Sequence, residues 1–316
     1  MPIFPIGIGI DLSDTYVHVA KVSYFGRIIE VQEREIPSGW VVDEKVVESE
    51  KLKFFLQKNC FSQEQILRSR VAILIPESRM FRCSLRLPKD KKKPLRSAVV
   101  DLAQREIPFP LSSADVLMNF SQQKNEMFAD VEAVEGEVIK NLVAAVPQEH
   151  NHLKVVEPRS RALLDMANMR GLLPSGFVGF VDANERWVTI TIFNKGQVVY
   201  SRAIRQPISF DQNQKKVPSV FVDFLNDLLD EIVLYYQEDH KMIDRFILSG
   251  LFFTDQRFRG PFKTSHGEVR IEFIDDLFSL KEKKIPHLFF GMAAIGAAFS
   301  ATRFTTFSRP CNFFRL

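Results

Sequence analysis

IGIGIDLSDTYVHVAKV, residues 6–22, holds two runs rich in β-branched side chains split by the polar triplet Ser13-Asp14-Thr15. Such runs favour extended backbone, and Ser, Asp and Thr interrupt it by hydrogen-bonding to nearby main chain. A further break at Phe25-Gly26 precedes a third run, so a meander of strands over 6–12, 16–23 and 27–36 is predicted. The acid Asp11 falls at the end of its first strand. The same order returns in FVGFVDANERWVTITIF, residues 177–193: strand 177–181, an acid at Asp182, a polar break, then strand 187–193. An Asn-Lys-Gly turn and a strand over 197–204 complete the second meander. A repeated unit of this kind predicts an α/β protein of two related domains.

The bulk properties agree with that size and class. A chain of 316 residues, 46% hydrophobic and 26% charged, is long enough for two domains, and two cores are expected. A formal charge of +3 gives no reason to expect a nucleic-acid surface, although Lys89, Lys91, Lys92 and Lys93 form a local basic run that suits a solvated face or anionic lipid. Cys60, Cys83 and Cys311 lie too far apart for a CxxC redox or zinc motif, which fits a reducing, cytoplasmic setting. MPIFPIGIGI at the start lacks the basic flank of a secretory signal and reads as a buried strand. The apolar run 288–299 falls short of the roughly 20 residues that span a bilayer and reads as a core helix.

Between the meanders, 46–58 has the spacing of an amphipathic helix and 70–75 that of a buried strand ended by Pro76. A strand over 80–87, a helix opened by Pro94, alternating segments over 115–121 and 127–134, and VIKNLVAAV at 138–146 are expected to form a small sheet with one helix. The predicted organisation is thus a first core over 1–77, an inserted α+β subdomain over 78–147, a return to the first core over 148–179, a second domain over 180–288, and a C-terminal helix and tail over 289–316. A helix over 160–169 is capped by Gly171, and a long one over 217–236 buries Val220, Phe221, Phe224, Leu228 and Ile232.

The duplicated meanders suggest actin-like (ribonuclease-H-like) domains, in which two hairpins cradle nucleotide phosphates on backbone N–H groups while an acid orients hydrated magnesium. Asp11 and Asp182 are the matching acids, Ser13, Asp14, Thr15, Asn184 and Thr189 the hairpin candidates, and Ser249-Gly250 the strand end where adenosine would approach backbone. Ordinary turn chemistry accounts for each of these residues singly.

The segments GIDLSDTYVHVAKV (9–22), VAILIPESRMFRCSLRLP (71–88), AQREIPFP (103–110), VEPRSRALL (156–164), FVDANERWVTITIFNKGQVVYSRAI (180–204) and FILSG (246–250) together resemble the PilM proteins of type IV pilus assembly, relatives of the cell-division protein FtsA. The resemblance runs through nearly the whole chain. It implies a cytoplasmic scaffold at the inner membrane that holds the N-terminal tail of a PilN-like bitopic protein, works with other platform proteins and can self-associate. It places the tail between the first core and the inserted subdomain, with Phe81, Leu85, Leu87, Leu102, Arg105 and Ile107 as groove residues. It also implies an ATP and Mg2+ site over the residues above, in which Asp11 and Asp182 hold the metal through water. The chain departs from the family where glycines are usual, carrying Asp11-Leu12-Ser13, Asp182-Ala183-Asn184 and Ser249-Gly250-Leu251-Phe252. The expectation is a degenerate ATP site that can stand nucleotide-free, with no catalytic residue and at most a weak ATPase activity. The stretch after Pro147 is shorter than in relatives, so the subdomain is expected to be trimmed there.

Rival readings are an FtsA-like membrane-associated filament-forming ATPase and a phosphate-transferring kinase relative, for which no positioned base can be named. His150 and His152 read as loop histidines. Arg303, Phe304, Phe307, Arg309, Phe313, Phe314 and Arg315 form an aromatic and basic tail suited to a membrane or partner contact.

Overall fold

The structure, a computed structural model, describes residues 5–61, 69–87, 95–123, 126–147, 153–173, 176–207, 218–238, 241–250, 253, 259, 262, 269–279, 282–303 and 314–315. Lys89 to Lys93, His150, His152, Leu251, Phe252, Cys311 and the tail residues Phe304 to Phe313 lie outside the described residues.

The two meanders form as the sequence predicts: β1 (Ile6–Leu12), β2 (Tyr16–Val22) and β3 (Ile28–Glu35), then β11 (Phe177–Ala183), β12 (Trp187–Asn194) and β13 (Gln197–Arg205). Each grows into a five-stranded sheet by the same rule. β6 (Ser69–Ile75) pairs in parallel with β1 and β10 (Leu153–Pro158) with β6, giving the order β10-β6-β1-β2-β3. β14 (Ile243–Gly250) pairs in parallel with β11 and β15 (Arg270–Phe273) with β14, giving β13-β12-β11-β14-β15. Read from the parallel edge, the orders are the same, so the protein is a duplicated mixed α/β fold of the actin-like kind.

The period of two along each strand then decides the layers. On β6, Val71, Ile73 and Ile75 point to an outer core that includes Leu52 and Leu56 of helix α1 (Ser49–Asn59) and Val138 and Leu142 of a helix over Gly136–Ala145. Ala72 and Leu74 point the other way, into a core shared by both sheets. That middle core also takes Val178 and Phe180 from β11 and is filled by two helices, over Arg159–Met169 and Met292–Arg303. The outer face of the second sheet packs on a helix over Ser219–Glu238, whose buried face is Phe221, Leu225, Leu228, Leu229, Ile232 and Tyr236. Val220, expected on that face, is exposed.

In chain order the helices are α1, α2 (Leu95–Glu106), α3 (Gly136–Ala145), α4 (Arg159–Met169), α5 (Ser219–Glu238) and α6 (Met292–Arg303). Two expected cores become four hydrophobic clusters, because the two sheets share the α4/α6 layer and the inserted subdomain keeps its own interior. α6 is buried over nearly its whole length. It lies so close to β1 that a Cβ on Gly9 would stand 1.9 Å from the Ala294 carbonyl oxygen, and so close to α4 that one on Gly296 would stand 1.8 Å from that of Ala162.

The subdomain sheet has the order β16-β8-β9-β7, from β16 (Phe314–Arg315), β8 (Ala114–Gln123), β9 (Glu126–Glu135) and β7 (Phe81–Leu87). Two local expectations are corrected. Residues 138–146, expected as a strand, lie in and just beyond α3, since Val138, Leu142 and Ala145 recur at helical spacing and bury that face in the outer core of the first sheet. The expected helix over 46–58 begins only at Ser49, because Val41–Val42 and Lys45–Val46 pair as a hairpin, β4 and β5, across Asp43 and Glu44. Both turn residues have positive φ, 48° and 60°, the backbone of a two-residue hairpin turn.

Candidate functional site

The alternation that builds the layers also builds the site. On β1 the even residues Ile8, Ile10 and Leu12 face the outer core, which turns Asp11 toward the other sheet. On β11, Val178 and Phe180 face the middle core, and Asp182 continues their face. The two acids therefore meet the same cleft, lined by Asp11, Ser13, Asp14, Tyr16, His18, Glu33, Glu44, Arg159, Asp182, Asn184, Glu185, Arg186, Trp187, Gly250 and Phe290. Asp11, Ser13, Asp14, Asp182, Asn184 and Gly250 are brought together as the sequence suggested. Thr15 is outside the lining and Thr189 and Ser249 are buried behind it, although Ser249 acts on it through a 2.8 Å hydrogen bond from its hydroxyl to Asp182.

Sequence reasoning missed the two residues that dominate the floor. Arg159, the first residue of α4, is only 1% exposed. Its Nε and Nη2 donate to Asp11 Oδ1 at 3.1 and 2.8 Å, Nη2 also reaches the Leu12 carbonyl at 3.1 Å, and Nη1 donates to Glu44 Oε1 at 3.0 Å. Glu44 enters the cleft from the β4–β5 turn, whose backbone N–H groups at Asp43 and Glu44 both donate to the Asp14 carboxylate. Its second oxygen accepts from Ser78 at 2.5 Å. The sequence signal available was VVDEKVV, with a three-residue polar break between valine pairs, but a glutamate at positive φ is not what a turn pattern calls for.

Burial pushes the Glu44 carboxyl up, against the lowering pull of Arg159 and Ser78, and burial likewise raises Asp182 against Arg159 and Ser249. Arg159 is held charged by Asp11, Glu44 and Asp182 in spite of its burial. Farther out, Arg186 of the second hairpin donates to Asp14 of the first at 2.6 Å, and His18 bonds Glu33 at 2.8 Å.

The residues present do not fit a magnesium–polyphosphate group. A guanidinium already engages Asp11, one of the two carboxylates that would orient the metal's waters, and bridges it to Glu44. The hairpin amides are partly taken: the Asn184 side-chain oxygen accepts from Arg186 and Trp187 N–H at 3.0 and 2.8 Å, and the Ser13 hydroxyl accepts from Tyr16 N–H at 3.0 Å. At the head of α4, Ser160 N–H donates to Glu77 at 3.1 Å. Gly250, at φ +100°, serves strand packing, since a Cβ there would lie 2.3 Å from the Ala183 carbonyl oxygen. The cleft contains about 620 Å³ of non-protein space with its open mouth. No group of three or more histidine, cysteine or acidic side chains placed to hold a metal occurs among the described residues.

The predicted groove residues divide. Leu85, Leu87 and Ile107 are buried in the subdomain's own interior with Val99, Ala103 and Val131. Phe81 and Leu102 are half-buried against the same cluster and Arg105 is exposed. The subdomain is fastened to the first core at Arg82, which binds Glu77, donates to Glu132 at 2.9 Å and reaches the Ser160 hydroxyl at 2.7 Å.

No family model and no curated protein matches the sequence. Solved structures do match. A chain of a "PilM-PilN type IV pilus biogenesis complex" superposes with a TM-score of 0.69 at 13% identity, over 94% of this chain and 98% of that one. The ethanolamine utilization protein EutJ from Carboxydothermus hydrogenoformans gives 0.51 at 12% identity over 95% and 91%. A protein from Bacteroides thetaiotaomicron described as having an "actin-like ATPase fold and unknown function" gives 0.50 at 12% identity over 88% and 94%. The chain thus has the actin-like fold and resembles PilM along nearly all of its length.

Proposed function

We propose that this chain is a PilM-like scaffold at the cytoplasmic face of the inner membrane, where it binds the N-terminal cytoplasmic peptide of a PilN-like bitopic protein. The observation that carries the reading is the superposition on PilM over 98% of that chain, which takes in the inserted subdomain as well as both actin-like halves. The Arg82 junction supports it, because a peptide held between the first core and the subdomain needs those two bodies in fixed relation. Phe81, Leu102 and Arg105 are the groove residues still available to such a peptide. Membrane attachment is through partners; no helix among the described residues is long and apolar enough to cross a bilayer. Nucleotide is optional to this role and hydrolysis is not part of it. The test is a calorimetric titration of the full chain with the partner's N-terminal peptide: saturable binding is expected, and no heat from a folded sample rejects the reading.

A further inference from the structure

Three facts about the cleft floor belong together. A single buried cation, Arg159, contacts Asp11 at the end of β1 and Glu44 at the tip of the β4–β5 turn. Asp182, from the other half of the molecule, adds to the negative field that keeps it charged. The cleft walls carry Asp11, Asp14, Glu33, Glu44, Asp182 and Glu185 with Arg159 and Arg186 among them. In a fold whose hairpins can share a metal-bound nucleotide, carboxylates at these positions need a cation between them. Here the chain supplies it.

We propose that Arg159 is a built-in counter-cation: its guanidinium, bonded to the Asp11 and Glu44 carboxylates in a cleft that Asp182 also lines, takes the position that a hydrated divalent cation would otherwise hold, so the acids of the cleft are balanced without metal or nucleotide. The geometry is specific to arginine. Nε and Nη2 both face one Asp11 oxygen while Nη1 points to Glu44, a fork that lysine's single ammonium cannot reproduce. The position is also unfavourable for a cation on local grounds, since Arg159 opens α4, where the helix dipole disfavours positive charge. Its occurrence there is explained by the acids across the cleft. The Asn184 and Ser13 side chains, which occupy amides of the two hairpins, complete the replacement by answering from within the chain the donors that phosphate oxygens would take.

The inference is independent of the peptide reading and is tested apart from it. Thermal unfolding of the full chain is followed with Mg2+, with Mg2+ and ATP, and with EDTA, alongside calorimetry with the same solutions. The wild-type protein is expected to give one unchanged Tm and no binding heat. Arg159→Met leaves the carboxylates facing one another, so its Tm is expected to fall by roughly 10 °C and to recover in part with Mg2+ alone, a recovery lost in the Arg159→Met, Asp182→Asn double variant. If Arg159→Met does not fold, Glu44→Gln, which keeps the Arg159–Asp11 pair, is expected to fold and stay insensitive to Mg2+. A wild-type protein that binds Mg2+ with ATP saturably, or an Arg159→Met protein as stable as wild type, overturns the proposal.

Discussion

The Arg159 guanidinium lies 2.8 Å from the Asp11 carboxylate, fastening the first residue of α4 to the end of β1, and both are nearly excluded from water. Desolvating two charges is expensive, and the pair persists because Glu44 and the Leu12 carbonyl complete the guanidinium's hydrogen bonds. Removing one partner leaves the other charged and buried. Asp11→Ala is expected to lose about 3–5 kcal/mol of stability, read from urea unfolding of the full chain; a loss under about 1 kcal/mol would place the pair among ordinary surface ion pairs.

The shared middle layer sets a second expectation. Gly296 on α6 has no room for a side chain beside Ala162 on α4. Gly296→Ala gains helix propensity yet must push the two helices apart, so a net loss of about 1–3 kcal/mol is expected. Equal or greater stability in the same unfolding assay would contradict the packing described for the two sheets.

Glu157 on β10 gives a pH signature. Its carboxyl is buried, one oxygen accepting from Ser300 at 3.3 Å, and burial together with the nearby Asp165 pushes its pKa up to about 8. The folded state therefore holds a proton that the unfolded chain releases near pH 4.5, and stability falls as pH rises from that value through about 8. Glu157→Gln keeps the shape and removes the titration. Its gain over wild type is expected to be about 1–3 kcal/mol at pH 8.5 and to vanish at pH 4; a gain independent of pH would show that Glu157 is not the titrating group.

On the subdomain, Leu102→Asp and Arg105→Glu change side chains that are not fully buried, so the fold is expected to survive. Each is expected to weaken the partner peptide about tenfold, or about 1.4 kcal/mol. Unchanged affinity in both would move the peptide away from α2.

How much of this the sequence disclosed depends on the range of the interactions. Both meanders, their acids and the parity that turns Asp11 and Asp182 into one cleft are local patterns, and the strands formed within two residues of the predicted ends. Arg159 and Glu44 were invisible because the contact that defines them joins positions separated by 115 residues. α3 was misread because VIKNLVAAV is apolar enough for a strand, although Val138, Leu142 and Ala145 recur at helical spacing and bury one face against the first sheet. Leu85, Leu87 and Ile107 were named as groove residues from the resemblance alone, whereas the 4-stranded sheet and α2 close over them as a core.

The most direct measurement is calorimetric titration of the full chain with the N-terminal cytoplasmic peptide of its PilN-like partner, run once with Mg2+ and ATP and once with EDTA. The account expects saturable one-to-one binding of equal affinity in both. Absence of binding in both, or binding that requires Mg2+ and ATP, would contradict a scaffold whose peptide site works without nucleotide.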